Sequence, residues 1–173
     1  MIRRLRSLLK KGESEPSLIN VNDKIASTLG LLHSEFVIRG IKVQTNLEAD
    51  LPTISGDRVQ LQQVLINLMR NATDAMTSTP PSERALSILT RSTKEGYIEV
   101  SITDRGPGIP PEELERIREP FFTTKKGGLG LGLSISSAIV ESHRGRLTLS
   151  NASDGGIVAT VSLPTTAQLA AAS

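Results

Sequence analysis

Apolar residues recur at helical spacing in several segments of this 173-residue chain. The longest segment begins at Asp57, a residue suited to cap a helix, and runs through Met76. Its apolar positions repeat every three or four residues: Leu61, Val64, Leu65, Leu68, Ala72, Ala75 and Met76. Asn22 is expected to cap another helix that runs to about residue 39, and a third fits residues 132–143. A short helix is expected over residues 111–118.

Alternating apolar and polar residues predict strands, most of them joined in pairs. Residues 41–47 alternate in this way. LSILTRS (86–92) and YIEVSITD (97–104) predict one β-hairpin, and RLTLSN (146–151) and IVATVSLP (157–164) predict a second. Strands grouped as hairpins with helices between the groups favour the α+β class. We therefore expect a mixed, mainly antiparallel sheet with about three helices on one face.

The two ends of the chain differ from its middle. Residues 1–17 combine a basic amphipathic start with Gly12 and Pro16, which predicts the tail of a longer helix followed by a linker. Residues 18–164 are expected to form one domain around a single core. Residues 165–173 are small and polar, and we expect a C-terminal tether or expression remnant there rather than regular structure.

Composition removes several classes of function. The chain has no Cys, and its two histidines lack the spacing of a zinc site, so any metal would be held by oxygen or other nitrogen ligands. With 2% aromatic residues and a net charge of +2, it lacks the stacking surfaces of single-strand nucleic-acid binders. No apolar run approaches the roughly 20 residues of a membrane helix. We expect a soluble, cytoplasmic fragment with no membrane or nucleic-acid contact.

The long helix carries a polar seam, defined here as Asn67, Asn71 and Asp74, opposite its apolar face. An ordinary solvated surface is one interpretation. Such surfaces usually carry Glu, Lys and Gln, whereas Asn is a weak residue in the middle of a helix. An amide oxygen is a suitable neutral ligand for Mg²⁺, which keeps several waters and binds substrate phosphates. The seam therefore favours a role in ligand binding.

A D-x-G-x-G turn, formed by Asp104, Gly106 and Gly108, follows the strand of the first hairpin. It could be an ordinary Asx turn. A carboxylate at the entrance of a pocket could also accept a hydrogen bond from an exocyclic amine such as that of adenine. The glycines would then let a flat base approach the backbone.

Alternating glycines at Gly128, Gly130 and Gly132 precede the third helix. They could be a flexible loop, but the start of a helix offers backbone amides and a dipole that suit phosphate. Lys125 and Lys126 stand beside them, where an ammonium group could meet a γ-phosphate. Neither a P-loop motif nor a complete G-x-G-x-x-G after a strand occurs, which excludes those two nucleotide sites.

Four motifs, in order, resemble the N, G1, F and G2 boxes of the histidine-kinase catalytic domain. They are NLMRNATDA at 67–75, DRGPG at 104–108, PFFTTK at 120–125 and GLGLGL at 128–133. The resemblance covers about residues 20–164, and the short spacing of the last two boxes is similar to that of nitrogen-regulatory and oxygen-sensing kinases. It implies the Bergerat α/β sandwich of gyrase, MutL and heat-shock chaperone ATPases, in which ATP lies between helices and a mobile lid.

The resemblance implies a role for each matching residue. Asn71 would hold Mg²⁺, Asn67 and Arg70 would support the metal and the phosphates, and Asp104 would accept the adenine amine. Lys125 would lie near the terminal phosphates. The other ATP contacts would come from Gly106, Gly108, Ile109, Phe121, Phe122, Thr124, Gly128, Leu129, Gly130, Leu131, Gly132 and Leu133.

Two positions depart from the pattern of the resembling proteins. ATPase relatives have a glutamate four residues before the Mg-binding asparagine, where it activates water, and this chain has Asn67 there. That difference implies a transferase rather than an ATPase. Many members also have a threonine in the last strand that helps the adenine contact, and we expect Val158 at the matching position.

The resemblance also implies partners outside this sequence. The acceptor histidine would belong to a helical dimerisation domain whose second helix runs into IRRLRSLLKKGE, and neither His33 nor His143 stands in an acceptor-like motif. The γ-phosphoryl of Mg-ATP would pass to that histidine and then to an aspartate of a response regulator receiver domain. The full-length protein would be a homodimer, and this domain alone would not label itself.

Two other kinds of function remain open from the sequence. One is an anti-sigma-type serine kinase of the same fold, which would lack a long helix upstream. The other is a non-enzymatic module, either an ATP-sensing switch or a nucleic-acid binder that uses the basic N-terminus.

Overall fold

The computed structural model of the protein describes residues 16–114, 116 and 131–172. It contains two groups of strands and five helices in the described part of the chain. In order, the elements are β1 (Ser17–Ile19), α1 (Val21–Ile38), β2 (Lys42–Leu47), β3 (Ile54–Gly56), α2 (Arg58–Ala75), a 3-10 turn (Pro81–Glu83), β4 (Ala85–Ser92), β5 (Tyr97–Thr103), α3 (Pro111–Leu114), α4 (Gly132–Ser142), β6 (Arg146–Asn151), β7 (Ile157–Pro164) and α5 (Thr166–Ala171).

The main sheet has five strands in the order β2-β4-β5-β7-β6. β2 runs parallel to β4, and every other neighbouring pair in this sheet is antiparallel. Both predicted hairpins are confirmed, β4 with β5 and β6 with β7. β1 and β3, which we did not predict, form a separate antiparallel ribbon that joins the entry of α1 to the entry of α2.

Three helices cover one face of the sheet. Along β5, Ile98, Val100 and Ile102 are buried, and the residues between them are only half-buried, so alternate side chains point to the core. α1, α2 and α4 each contribute buried residues to the same cluster, among them Ile25, Met69 and Ile139. The expected α+β sandwich, with a mixed sheet and three helices packed on it, is confirmed.

The start of α2 follows from its cap. Asp57 Oδ1 accepts hydrogen bonds from the backbone amides of Val59 and Gln60, at 2.8 and 3.0 Å. The helix then runs to Ala75, with its C-cap at Met76, as the sequence predicted. Its buried side chains fall on the face that the periodicity indicated.

The predicted cap of α1 is wrong. Asn20, not Asn22, caps the helix, and its side chain accepts from the Asp23 amide at 3.2 Å. The side chain of Asn22 is used elsewhere, since its Nδ2 donates to the Glu48 carbonyl at 2.8 Å and its Oδ1 accepts from the Thr90 hydroxyl at 3.0 Å. Asn22 therefore lies inside the first turn of α1, and its side chain binds the loop after β2 and the strand β4 instead of capping the helix.

The C-terminal segment also differs from the prediction, because residues 166–171 form the helix α5 where we expected no regular structure. Thr165 is buried and caps this helix by accepting from the Gln168 amide at 3.1 Å. The Thr166 amide donates to the Thr53 carbonyl at 3.0 Å, which ties the helix to the loop before β3. Of the short helix predicted over residues 111–118, the structure describes Pro111–Leu114.

One arginine closes the C-terminal ends of both long helices. The guanidinium of Arg84 donates to the carbonyls of Arg39, Thr77 and Thr79 at 2.7, 3.0 and 2.8 Å. Carbonyls at a helix end have no partner within the helix. Arg84 therefore fixes the end of α1 and the segment after α2 to the start of β4. Within the described part of the chain, no helix is both long and apolar enough to cross a membrane.

Candidate nucleotide-binding site

The carboxyl group of Asp104 lies at the end of β5, and the residue is only 4% exposed. Its Oδ1 accepts from the Gly106 amide at 2.8 Å, so the Asx turn considered for this segment is present. Burial raises the pKa of Asp104 above its ordinary value, and hydrogen bonds from the backbone amides of Gly106 and Ile157 oppose that shift. The turn thus presents a buried acceptor held in one orientation.

The D-x-G-x-G turn packs directly against the end of α2. A Cβ at Gly106 would lie 2.8 Å from the Ala75 carbonyl oxygen, closer than a side chain allows. Beyond the helix, the hydroxyl of Thr79 donates to the Arg105 carbonyl at 3.2 Å. Glycine at position 106 is therefore required by packing, and the turn and the polar seam of α2 belong to one region of the molecule.

Asn67 lies between α2 and α4. Its Nδ2 donates to the hydroxyl of Ser136, a buried residue of α4, at 2.8 Å. A Cβ at Gly132, the first residue of α4, would lie 2.6 Å from Asn67 Oδ1, so a side chain there would separate the two helices. The side chain of Asn67 is therefore part of the α2–α4 contact. Asn71 follows one helical turn later and is also half-buried.

The other two polar residues of this region of α2 are engaged by α1. Arg70 Nε lies 3.1 Å from Glu35 Oε2, and Asp74 Oδ1 lies 2.9 Å from a guanidinium nitrogen of Arg39. Arg39 also reaches Glu35 at 3.6 Å, so the four side chains form one ion-pair network across the two helices. Arg70 would have to exchange this partner to support a phosphate group. Asn67 thus contacts α4, whereas Asp74 and the neighbouring Arg70 contact residues at the end of α1.

The glycine-rich segment is described only at its end. α4 begins at Gly132 as predicted, and Leu131 at its N-cap makes no side-chain capping hydrogen bond. Leu133 is half-buried and packs against the core. The remaining predicted ATP contacts lie outside the described residues: Phe121, Phe122, Thr124, Lys125, Gly128, Leu129 and Gly130.

Val158, which we matched to the threonine of the resembling proteins, is not the β7 neighbour of Asp104. The Asp104 amide donates to the Ile157 carbonyl at 3.1 Å, so Ile157 is its neighbour across the sheet. Val158 pairs with Thr103, whose neighbour Ile102 points to the core, and side chains alternate between faces. Val158 therefore lies on the face away from the helices. Only the register of the two strands could have distinguished these adjacent residues.

Both histidines agree with the packing or surface role expected for them. His143 Nε2 accepts from the Asp57 amide at 3.0 Å, and Nδ1 lies 2.7 Å from the Ile139 carbonyl, so Nδ1 carries the proton. His33 is exposed on α1. Among the described residues, no group of three or more His, Cys, Asp or Glu side chains could hold a metal ion.

Comparisons with known proteins agree with this geometry. Residues 56–167 match the family described as histidine kinase-, DNA gyrase B- and HSP90-like ATPases. The chain is 36% identical over 166 residues to sensor protein FixL of Bradyrhizobium diazoefficiens, which covers 95% of this chain and 32% of FixL. The chain thus spans about a third of that relative's length.

Solved structures of kinase catalytic domains have the same fold. The catalytic domain of histidine kinase ThkA is 31% identical, with a TM-score of 0.77, over 87% of this chain and 96% of that chain. Histidine kinase ThkA in complex with response regulator protein TrrA superposes with a TM-score of 0.75 at 28% identity, over 95% of this chain and 48% of that chain. From the matched residues, the chain belongs to the histidine kinase-, DNA gyrase B- and HSP90-like ATPase family, whose domain binds ATP, and it corresponds to the catalytic domain of sensor histidine kinases.

Proposed function

We propose that this domain binds Mg-ATP and transfers its γ-phosphoryl group to a histidine on a separate dimerisation domain, for relay to an aspartate of a response regulator. The observation that carries the proposal is the buried Asp104, oriented by the Gly106 amide and packed beside the polar seam of α2. A response regulator as partner is supported by the complex of ThkA with TrrA.

Asp104 would select the base. Its carboxylate would accept from the exocyclic amine of adenine, whereas guanine presents a carbonyl oxygen, also an acceptor, at the same position. Gly106, Gly108 and Ile109 would line the base. Because Asp104 is buried and already bonded through one oxygen, it cannot turn to meet a different base.

The metal and phosphates would lie along the seam. The amide oxygen of Asn71 is a neutral oxygen donor, which suits Mg²⁺ because this ion keeps several waters and is held in part by substrate phosphates. Mg²⁺ would neutralise phosphate charge. From the sequence alone, we propose that Lys125 lies near the phosphates. The same part of the site would include Phe122, Thr124, Gly128, Leu129 and Gly130. The uncapped start of α4, from Leu131 to Leu133, offers backbone amides to the same groups.

Hydrolysis of ATP by this domain should be slow. Asn67 stands where ATPase relatives have a glutamate, and an amide cannot take a proton from water near neutral pH. Its Nδ2 is bonded to Ser136, and both ring nitrogens of His143 are engaged by backbone groups. Neither the Asn67 amide nor the His143 ring is therefore available as a general base or as a phosphate acceptor.

Incubation with γ-labelled ATP tests the proposal. The chain alone is expected to release phosphate very slowly and to carry no label. Addition of a dimerisation domain with its histidine should give an acid-labile phosphohistidine on that domain, because transfer needs an acceptor placed in line. The same mixture with the acceptor histidine changed to alanine is the control. Rapid phosphate release without the acceptor, or label on His33 or His143, would contradict the proposal.

The short spacing of the F and G2 boxes supports membership of the nitrogen-regulatory and oxygen-sensing class. The basic amphipathic start supports residues 1–17 as the end of a dimerisation helix, within a full-length protein that acts as a homodimer. The catalytic domain, residues 18–164, would face the cytoplasm, where response regulators are found.

A further inference from the structure

Asn151, the last residue of β6, is hydrogen-bonded to Ile109, the residue that follows the D-x-G-x-G turn. The Ile109 amide donates to Asn151 Oδ1 at 3.0 Å, and Asn151 Nδ2 donates to the Ile109 carbonyl at 2.9 Å. Both bonds connect one side chain to one residue that is 42 positions away. β6 is an edge strand of the sheet, and Asn151 itself is exposed.

This arrangement fixes the far end of the turn. The near end is held by the buried Asp104, whose Oδ1 binds the Gly106 amide. Gly108, which has a positive φ of 77°, ends the turn, and Ile109 is the next residue. The Asn151 amide satisfies both backbone groups of Ile109, as a neighbouring strand would. Its donor and acceptor together set the direction in which the turn leaves the base subsite.

We infer that Asn151 is a positioning residue for adenine recognition, an inference that rests on the proposed nucleotide-binding function. Asn151 acts through Ile109 and Gly108 and makes no contact with the nucleotide. A turn already held in its binding conformation does not have to be ordered when the base enters, so its affinity for the base is higher. The phosphate groups bind elsewhere, so their affinity does not depend on this side chain.

The test compares Asn151→Ala with Ser153→Ala, a control two residues further along the chain whose exposed hydroxyl bonds weakly to Asp154, at 3.4 Å. Calorimetry with Mg²⁺ would measure the Kd for ATP, GTP and inorganic tripolyphosphate. Asn151→Ala should weaken ATP about tenfold, because the turn would then have to be ordered when the base binds, and should lower the ratio of ATP to GTP affinity. Tripolyphosphate affinity, and every value for Ser153→Ala, should match the wild type.

A second variant keeps the test decisive if Asn151→Ala does not fold. Asn151→Gln retains the amide but moves it by one methylene group, so it should keep a normal thermal transition and still lose ATP affinity and selectivity. Wild-type selectivity in a folded Asn151 variant would overturn the inference, as would an equal loss for ATP and tripolyphosphate. If the wild-type chain binds no ATP, the proposed nucleotide-binding function fails instead.

Discussion

The D-x-G-x-G turn packs against the end of α2, and the ion-pair network of Arg39, Glu35, Arg70 and Asp74 lies on the outer surface of α1 and α2. Different kinds of interaction hold these two regions. In and directly after the turn, the buried Asp104 and Gly106 and the half-buried Ile109 are fixed by hydrogen bonds of 2.8 to 3.0 Å that involve backbone groups. On the outer surface, Arg70 is paired with Glu35 while its own side chain is 58% exposed. Backbone hydrogen bonds specify a position, whereas exposed ion pairs are screened by water and salt. The geometry needed for base recognition is therefore held by hydrogen bonds to the backbone and not by exposed ion pairs.

The largest effect on stability is expected at Arg84, which binds carbonyls at the end of α1 and in the segment after α2. Arg84→Met should lower the free energy of unfolding by roughly 2 to 4 kcal/mol, because three carbonyls lose a charged donor. Urea unfolding would measure the change. Arg91→Met is the matched control, since Arg91 is 62% exposed and its guanidinium pairs with Glu99 on the neighbouring strand. Equal losses for the two variants would show that the carbonyl contacts contribute nothing.

The next effect is on binding at Asp104. Asp104→Asn should weaken ATP by about 1.5 to 3 kcal/mol, the value of a hydrogen bond to a charged group, and should remove the preference for ATP over GTP, expected to be at least tenfold in the wild type. Calorimetry with both nucleotides would measure it. Unchanged ATP affinity in this variant would exclude Asp104 as the base acceptor.

The same substitution has the opposite effect on stability. Burial raises the pKa of Asp104, so the Asp104 carboxyl group binds a proton more tightly in the folded state than in the unfolded state. The contribution of Asp104 to the free energy of unfolding is therefore greatest at low pH and falls as pH rises through the raised pKa. Asp104→Asn should unfold at a higher Tm than the wild type at pH 7, and this gain should disappear below about pH 4. A gain that does not change with pH would contradict this explanation.

A smaller change, in the stabilising direction, is expected on the outer surface of α1. Gly30 is exposed in the middle of the helix, and a Cβ built there meets nothing within 4 Å. Gly30→Ala should raise the free energy of unfolding by about 0.5 to 1 kcal/mol, because glycine costs more backbone entropy in a helix. Thermal unfolding would detect it, with nucleotide affinity unchanged. A loss of stability would contradict the open space found around position 30.

The smallest effect is expected for Arg70→Met. An exposed ion pair contributes about 0.2 to 1 kcal/mol and is weakened by salt. The difference in free energy of unfolding between wild type and variant should therefore shrink from low to high ionic strength. A large fall in ATP affinity in this variant, with stability nearly unchanged, would show that Arg70 leaves Glu35 for the phosphates.

Local sequence signals predicted most of the fold and part of the site. Asp57 was identified as a cap because an Asx residue directly precedes a periodic run, and α2 begins there. The same rule failed at Asn22, since a partner on β4, Thr90, decides what its side chain does. Ile157 and Asn151 were missed because their relation to the turn depends on strand register. Arg84 was missed because the carbonyl of Arg39 is 45 positions away.

α4 is attached to α2 at two points. Ser136, near the start of α4, accepts from Asn67, and His143 at its end accepts from the amide of Asp57, the cap of α2. Seven residues of helix separate these contacts, a distance of about 10 Å. α4 therefore can neither slide along α2 nor rotate about its own axis unless one of these hydrogen bonds breaks. These two hydrogen bonds hold α4 against α2 near both of its ends, so a displacement of Leu131 is expected to act on α2 through Asn67 and on the cap of α2 through Asp57.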